Sequence, residues 1–164
     1  MNKVYLDNNA TTMIDPEAYE AMLPYLGENF GNPNSLHSYG NATHAALGRA
    51  MDQLYAGIGA KDSDDIVVTS CATESNNWVL KGVYFDILKE QKNGKNRIIV
   101  SSVEHPAVGA TAAFLESLGV EVTRLDVDNS GLVSPEALKS VIGDDVALVS
   151  VMNANNETGV IFDI

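Results

Sequence analysis

The chain has 164 residues, the length of one domain, and its 45% hydrophobic and 20% charged content supports an ordinary globular core. Its formal net charge of -12 is spread along the chain, so it repels phosphate backbones and anionic lipid; neither nucleic acid nor a membrane is expected as a partner. One cysteine cannot form an internal disulfide, the opening MNKVYLDNN lacks the apolar stretch of a signal peptide, and no apolar run is long enough to span a bilayer, which together fit a cytoplasmic protein.

A short apolar run at 4–6 leads into the polar turn DNNATT. Asp15, Pro16 and Glu17 read as N-cap, first helical position and first-turn acid of a helix reaching about Leu26. Residues 27–40, GENFGNPNSLHSYG, have loop composition. A helix is predicted over 42–58, with Ala46, Ala50, Leu54 and Ile58 at period four and Gly59 ending it. The β-branched run 66–68 predicts a strand. A helix follows from Glu74 to about Glu90, with Val79, Val83, Tyr84, Ile87 and Leu88 on one face. Then come a strand at 97–102, a helix at 106–118 with Pro106 first and Gly119 last, and a strand at 120–125. Ser134, Pro135 and Glu136 open a short helix that ends at Gly143, before a strand at 146–152. The closing stretch GVIFDI is apolar, as expected of a fragment or of one half of a larger unit.

Strands and helices alternate at βαβ spacing, and three strands are near-continuous apolar runs, as when helices cover both faces of a sheet. The expected fold is α/β, three-layered, with a mainly parallel, open, doubly wound sheet. Ligands of such sheets bind beyond the carboxyl ends of the strands. Three of the four strand ends carry polar corners. The first, TSCATESNN, has small residues at 70–72, Thr73 or Ser75 able to cap the helix, and a first turn whose N–H groups suit a phosphate. A plain Ser/Thr-rich cap is the competing reading; the stretch is neither a Walker A loop nor a dinucleotide fingerprint. The second, SSVEHPAV, puts His105 at a corner, able to stack on a planar ligand or move a proton, or else simply to fill the N-cap position. The third, MNANNETGV, concentrates amides that can orient a carboxylate or phenolic oxygen, or form a turn. His37 and His44 read as surface or loop packing, and Lys61, Lys81, Lys89, Lys92, Lys95 and Lys139 as solvated. No clustered ligand set for a metal is present.

YLDNNATT, FGNPNSLHSYG, VVTSCATESNN, SSVEHPAV and MNANNETGV occur in the order and spacing of NifS-type cysteine desulfurases, and from Tyr5 onward the chain resembles the N-terminal segment of that group. These are class V, fold-type I pyridoxal-phosphate enzymes. The resemblance implies pyridoxal 5'-phosphate as cofactor and the large domain of the aminotransferase fold, incomplete here. It implies that residues 1–15 pack with a small domain and that 16–164 form part of the cofactor-binding domain. It places the cofactor phosphate on Ala72 and Thr73, the pyridine ring and a proton-transfer role on His105, and the phenolic oxygen and substrate carboxylate on Asn156. The implied reaction converts L-cysteine to L-alanine and passes sulfur as a persulfide to an iron–sulfur scaffold protein, in a homodimer. The lysine that carries the cofactor, the aspartate on the pyridine nitrogen and the persulfide cysteine belong, in the family, downstream of NNE. Cys71 stands where the family usually has glycine, on the phosphate side, and is not expected to be the nucleophile. A selenocysteine lyase, an aminotransferase, or a non-catalytic half needing a partner chain are the alternatives.

On this reading the bare 1–164 segment releases no sulfur from L-cysteine when supplied with pyridoxal phosphate, and it aggregates through an unpaired apolar sheet edge. Sulfide assay and size-exclusion chromatography test both; a soluble, cooperatively unfolding monomer would contradict the second.

Overall fold

The computed structural model describes residues 3–163. The chain separates into two compact units, one of Thr12–Val68 and one of Met1–Thr11 with Thr69–Ile164.

The first unit is helical. Asp15 caps α1 (Pro16–Met22), its carboxylate accepting the Glu17 N–H at 2.8 Å, and the chain tightens into a 3-10 turn over Leu23–Leu26. α2 (Ser38–Ile58) starts four residues before the expected position, inside the stretch read as loop. Its start is fixed by close backbone contact: a side chain at Gly40 would collide with the carbonyls of Asn32 and Ser35. α2 ends as expected at Gly59, whose φ of +67° is the left-handed cap conformation. His37 precedes α2 and packs edge-on near Tyr39, and His44 is exposed. The expected strand at 66–68 does not form. It has no ladder partner among the described residues, and Val67 and Val68 are 57% and 69% exposed. Branched side chains favour a strand, but only a partner for the backbone groups makes one.

The second unit holds the sheet. β1 (Arg97–Ser101) is central, with β2 (Glu121–Leu125) and β3 (Val146–Ser150) on either side, all parallel, in the order β2-β1-β3. Because side chains alternate along a strand, Ile98 and Val100 face one layer and Ile99 the other. On the first face they meet Leu80 and Leu88, together with Val108, Ala112 and Leu115 of α4 (Pro106–Ser117). On the second, Ile99, Leu125 and Val146 meet Leu138 and Val141 of α5 (Pro135–Val141). This is the expected three-layer, parallel α/β arrangement.

α3 (Ala72–Val83) begins two residues earlier than expected and runs into a wider turn over Tyr84–Leu88, where the Lys89 N–H reaches the Tyr84 carbonyl at 2.8 Å. The wider turn returns Leu88 to the side of Leu80, so Leu80, Val83, Tyr84 and Leu88 make the buried face. Val79, expected on that face, is 55% exposed. At the amino end of the sheet, Arg97 grips Asp145 through two hydrogen bonds of 2.7 and 3.0 Å and donates to the Val141 carbonyl at 2.8 Å. The guanidinium holds the Asp145 carboxyl below the usual carboxylate range. Lys95, read as solvated, is half-buried and donates to the Val146 carbonyl at 2.6 Å.

Leu115 has 0% exposure between α4 and the sheet. Leu115→Ala is therefore expected to lower unfolding free energy by about 2–5 kcal/mol in urea denaturation, at an unchanged slope.

Candidate active site

The chain leaves β1 through α4 on one face to reach β2, then crosses by α5 on the other face to reach β3. The carboxyl ends of β1 and β3 thus lie side by side although β2 separates them in sequence. A cleft of about 440 Å³ opens there, lined by Asn9, Ala10, Cys71, Ala72, Thr73, Asn76, His105, Ala107, Met152 and Asn156. All four residues singled out in the sequence, Ala72, Thr73, His105 and Asn156, meet in it.

The start of α3 forms one wall. Neither Thr73 nor Ser75 caps it, contrary to expectation. The N-cap is Cys71, and its side chain makes no capping hydrogen bond. Thr69 and Ser75 instead bond each other at 2.6 Å. The first-turn N–H groups have no intrahelical acceptor, because acceptors four residues back lie outside the helix. Glu74 turns backwards, one carboxylate oxygen accepting the Ser70 N–H and the Ser70 hydroxyl, each at 2.6 Å. Those two bonds hold its carboxyl below the usual range. Cys71 has φ of -167°, extended backbone open to any residue, so the position does not demand glycine. Its thiol is exposed, and the Glu74 N–H, with help from the Ser70 hydroxyl, lowers its pKa below the ordinary thiol value.

His105 stands at the corner between β1 and α4. Its Nδ1 accepts the Ala107 N–H at 3.0 Å and so caps α4. An accepting Nδ1 carries no proton, so the neutral ring carries it on Nε2, the atom left for a ligand. The capping reading and the functional reading of His105 therefore use different nitrogens. Asn77 fastens this helix to α3: its amide donates to the Thr73 carbonyl at 3.0 Å and accepts the Thr111 hydroxyl at 3.1 Å.

The third wall divides its asparagines. Asn155 is buried and makes the turn, its Oδ1 accepting the Glu157 and Thr158 N–H groups at 2.9 Å each. Asn156, its neighbour, lines the cleft. Sequence reasoning missed Asn9, whose amide donates to the Ala154 carbonyl at 2.9 Å across 145 residues, and Glu104, which accepts the Met152 N–H across 48 residues. The DNNATT motif marked Asn9 as part of a pattern but gave it no partner.

This geometry is that of a class V aminotransferase. The family model for aminotransferase class-V matches residues 4–164, and the chain belongs to that family. It is 48% identical over 159 residues to the cysteine desulfurase IscS of Dictyoglomus turgidum, covering 97% of this chain and 39% of that protein. To the cysteine desulfurase NifS of Azotobacter vinelandii it is 46% identical over 164 residues, covering 100% and 40%. A solved structure of a NifS-like protein superposes with a TM-score of 0.87 at 39% identity, over 99% of this chain and 43% of that one. The chain spans about two fifths of the length of the curated relatives it matches.

The lowered thiol pKa makes a direct prediction. Thiolate is the reactive form, so alkylation of Cys71 by iodoacetamide is expected to rise with pH through a midpoint below that of a free thiol. Ser70→Ala, which removes a hydroxyl donor at 3.8 Å from the sulfur, moves the midpoint up. A wild-type midpoint at or above the free-thiol value contradicts this account.

Proposed function

We propose that this chain is the N-terminal part of a pyridoxal-phosphate-dependent cysteine desulfurase, which converts L-cysteine to L-alanine and passes the sulfur as a persulfide to an iron–sulfur scaffold protein. The observation that carries the reading is the convergence of the open α3 N-terminus, the His105 ring and the Asn156 amide on one cleft. The names of the most similar relatives agree with it. Residues 16–164 are read as part of the cofactor-binding domain, the whole protein as a cytoplasmic homodimer, and the segment alone as inactive.

The residues present fit the cofactor. Its phosphate needs several N–H donors and little side-chain bulk, and the first turn of α3 offers N–H groups without intrahelical acceptors beside Ala72. Thr73 adds a hydroxyl within the same wall. The only carboxylate of that turn, Glu74, is turned back onto Ser70, so its oxygens are engaged away from the donors. When bound, the cofactor supplies the electron sink that carbon–sulfur cleavage next to an amine requires. His105 would lie against the ring and take or give a proton at Nε2, its orientation fixed through Nδ1. Asn156 would donate to the phenolic oxygen and to the substrate carboxylate without adding charge.

The full-length protein incubated with L-cysteine and dithiothreitol, which reduces the persulfide, is expected to yield alanine and sulfide in equal amounts, and to prefer cysteine over selenocysteine and over amino-donor pairs. In it, His105→Ala is expected to lower kcat by about 10²-fold or more, the range for loss of a positioned proton-transfer group. Unchanged turnover in that variant removes His105 from the site; absence of alanine in the wild type removes the desulfurase reading.

A further inference from the structure

The two residues that lie against the cofactor in this reading, His105 and Asn156, belong to separate loops. Each is preceded by a side chain that does not line the cleft. Glu104 uses one carboxylate oxygen, Oε1, twice: it accepts the Ser101 hydroxyl at 2.8 Å and the Met152 N–H at 2.7 Å. The first bond ties Glu104 to the end of β1, and the second reaches across 48 residues to the chain leaving β3. Asn155 answers from the other loop. Its Nδ2 donates to the Val103 carbonyl at 3.2 Å, with the Met152 sulfur at 3.4 Å, while its Oδ1 holds the turn. Asn155 is only 9% exposed, so these bonds form out of competition with water.

We propose that Glu104 and Asn155 are positioning residues that clasp the His105 loop to the Asn156 loop and so set the spacing of the two ligand-facing groups. The proposal rests on the reading of the cleft as a pyridoxal phosphate site. Its physical basis is that successive side chains leave the backbone in different directions. One of each pair can therefore be spent on the clasp while the next faces the ligand. Two hydrogen bonds run between the loops, both donated from the loop after β3 to the loop after β1: Met152 N–H to Glu104, and Asn155 Nδ2 to the Val103 carbonyl. Releasing either lets the loops separate, and a shift of about 1 Å at a catalytic group can cost about 10²-fold in rate.

The experiment uses the full-length protein. Titration of the cofactor-free form with pyridoxal phosphate, followed by absorbance, reads cofactor affinity, and turnover of L-cysteine reads kcat and KM. Glu104→Ala is expected to weaken cofactor binding and lower kcat by about tenfold or more each, with KM changed less. Glu104→Gln keeps an oxygen that accepts both bonds and is expected within about threefold of wild type. Asn155→Asp keeps the turn acceptor and loses the donor to the Val103 carbonyl and the Met152 sulfur, so it is expected to fall with Glu104→Ala. In an Asn156→Ala background, Glu104→Ala is expected to add less than about threefold, because its effect passes through that residue.

Wild-type affinity and kcat in Glu104→Ala, a Gln variant as impaired as the Ala variant, or full additivity with Asn156→Ala each overturn the clasp. Should Glu104→Ala fail to fold, Asn155→Asp decides: loss of affinity and rate supports the clasp, and wild-type values overturn it. A wild-type protein that binds no pyridoxal phosphate removes the reading of the site instead. The clasp then stands or falls on amide exchange over residues 152–156, expected faster in Asn155→Asp and unchanged in Glu104→Gln; exchange unaltered in Asn155→Asp overturns it.

Discussion

The cleft depends on one topological constraint: β1 is flanked on both sides by strands that come later in the chain. To pass from β2 to β3 the backbone must cross β1, and it does so on the face opposite α4. The loops leaving β1 and β3 then diverge, and a crevice is left between them. Hydrophobic burial enforces this arrangement. Ile98 and Val100 require cover on one face and Ile99 on the other, and a single layer of helices cannot supply both. The cleft-lining residues are thus placed by side chains that never approach the cleft.

Within the crevice, structural and chemical duties are split between atoms or between neighbours. His105 divides them across its ring, with Nδ1 capping α4 and Nε2 left for a ligand. The 155–156 pair divides them between residues, one asparagine making the turn and the next facing the cleft. The 104–105 pair does the same. A turn or cap reading and a binding reading of such motifs are therefore not rivals. The structural bond is what makes the free atom's position definite.

What was legible in the sequence was local. Asp15 and Ser134 cap the helices they precede, and Gly59 closes α2, because each of these choices is decided within a few residues. The βαβ alternation gave the parallel three-layer fold, and strand-end logic with the family resemblance picked four residues that meet in one cleft. The run 66–68 was misread because a strand needs a partner, and pairing is not written in the run itself. The buried face of α3 was misread at Val79, which lies beside, not on, the stripe that Leu80, Val83 and Tyr84 set. Glu104 and Asn9 were invisible because the partners that tie them across the cleft lie 48 and 145 residues away.

The identity of the residue before α3 follows from the same competition for backbone donors. Asp15, His105 and Ser134 each satisfy an N–H at the start of their helices with an oxygen or nitrogen. A comparable cap at position 71 would take a donor that a phosphate, bound as proposed, would use. Cys71 makes no such bond, and sulfur is a weak acceptor in any case, easily displaced by an anionic oxygen. Glu74 instead reaches backwards and accepts the Ser70 N–H, just before the helix, so its carboxylate is engaged away from the first-turn N–H groups. The lone cysteine of the segment fits its place for what it does not bind. Its lowered pKa follows from the Glu74 N–H and the Ser70 hydroxyl beside it.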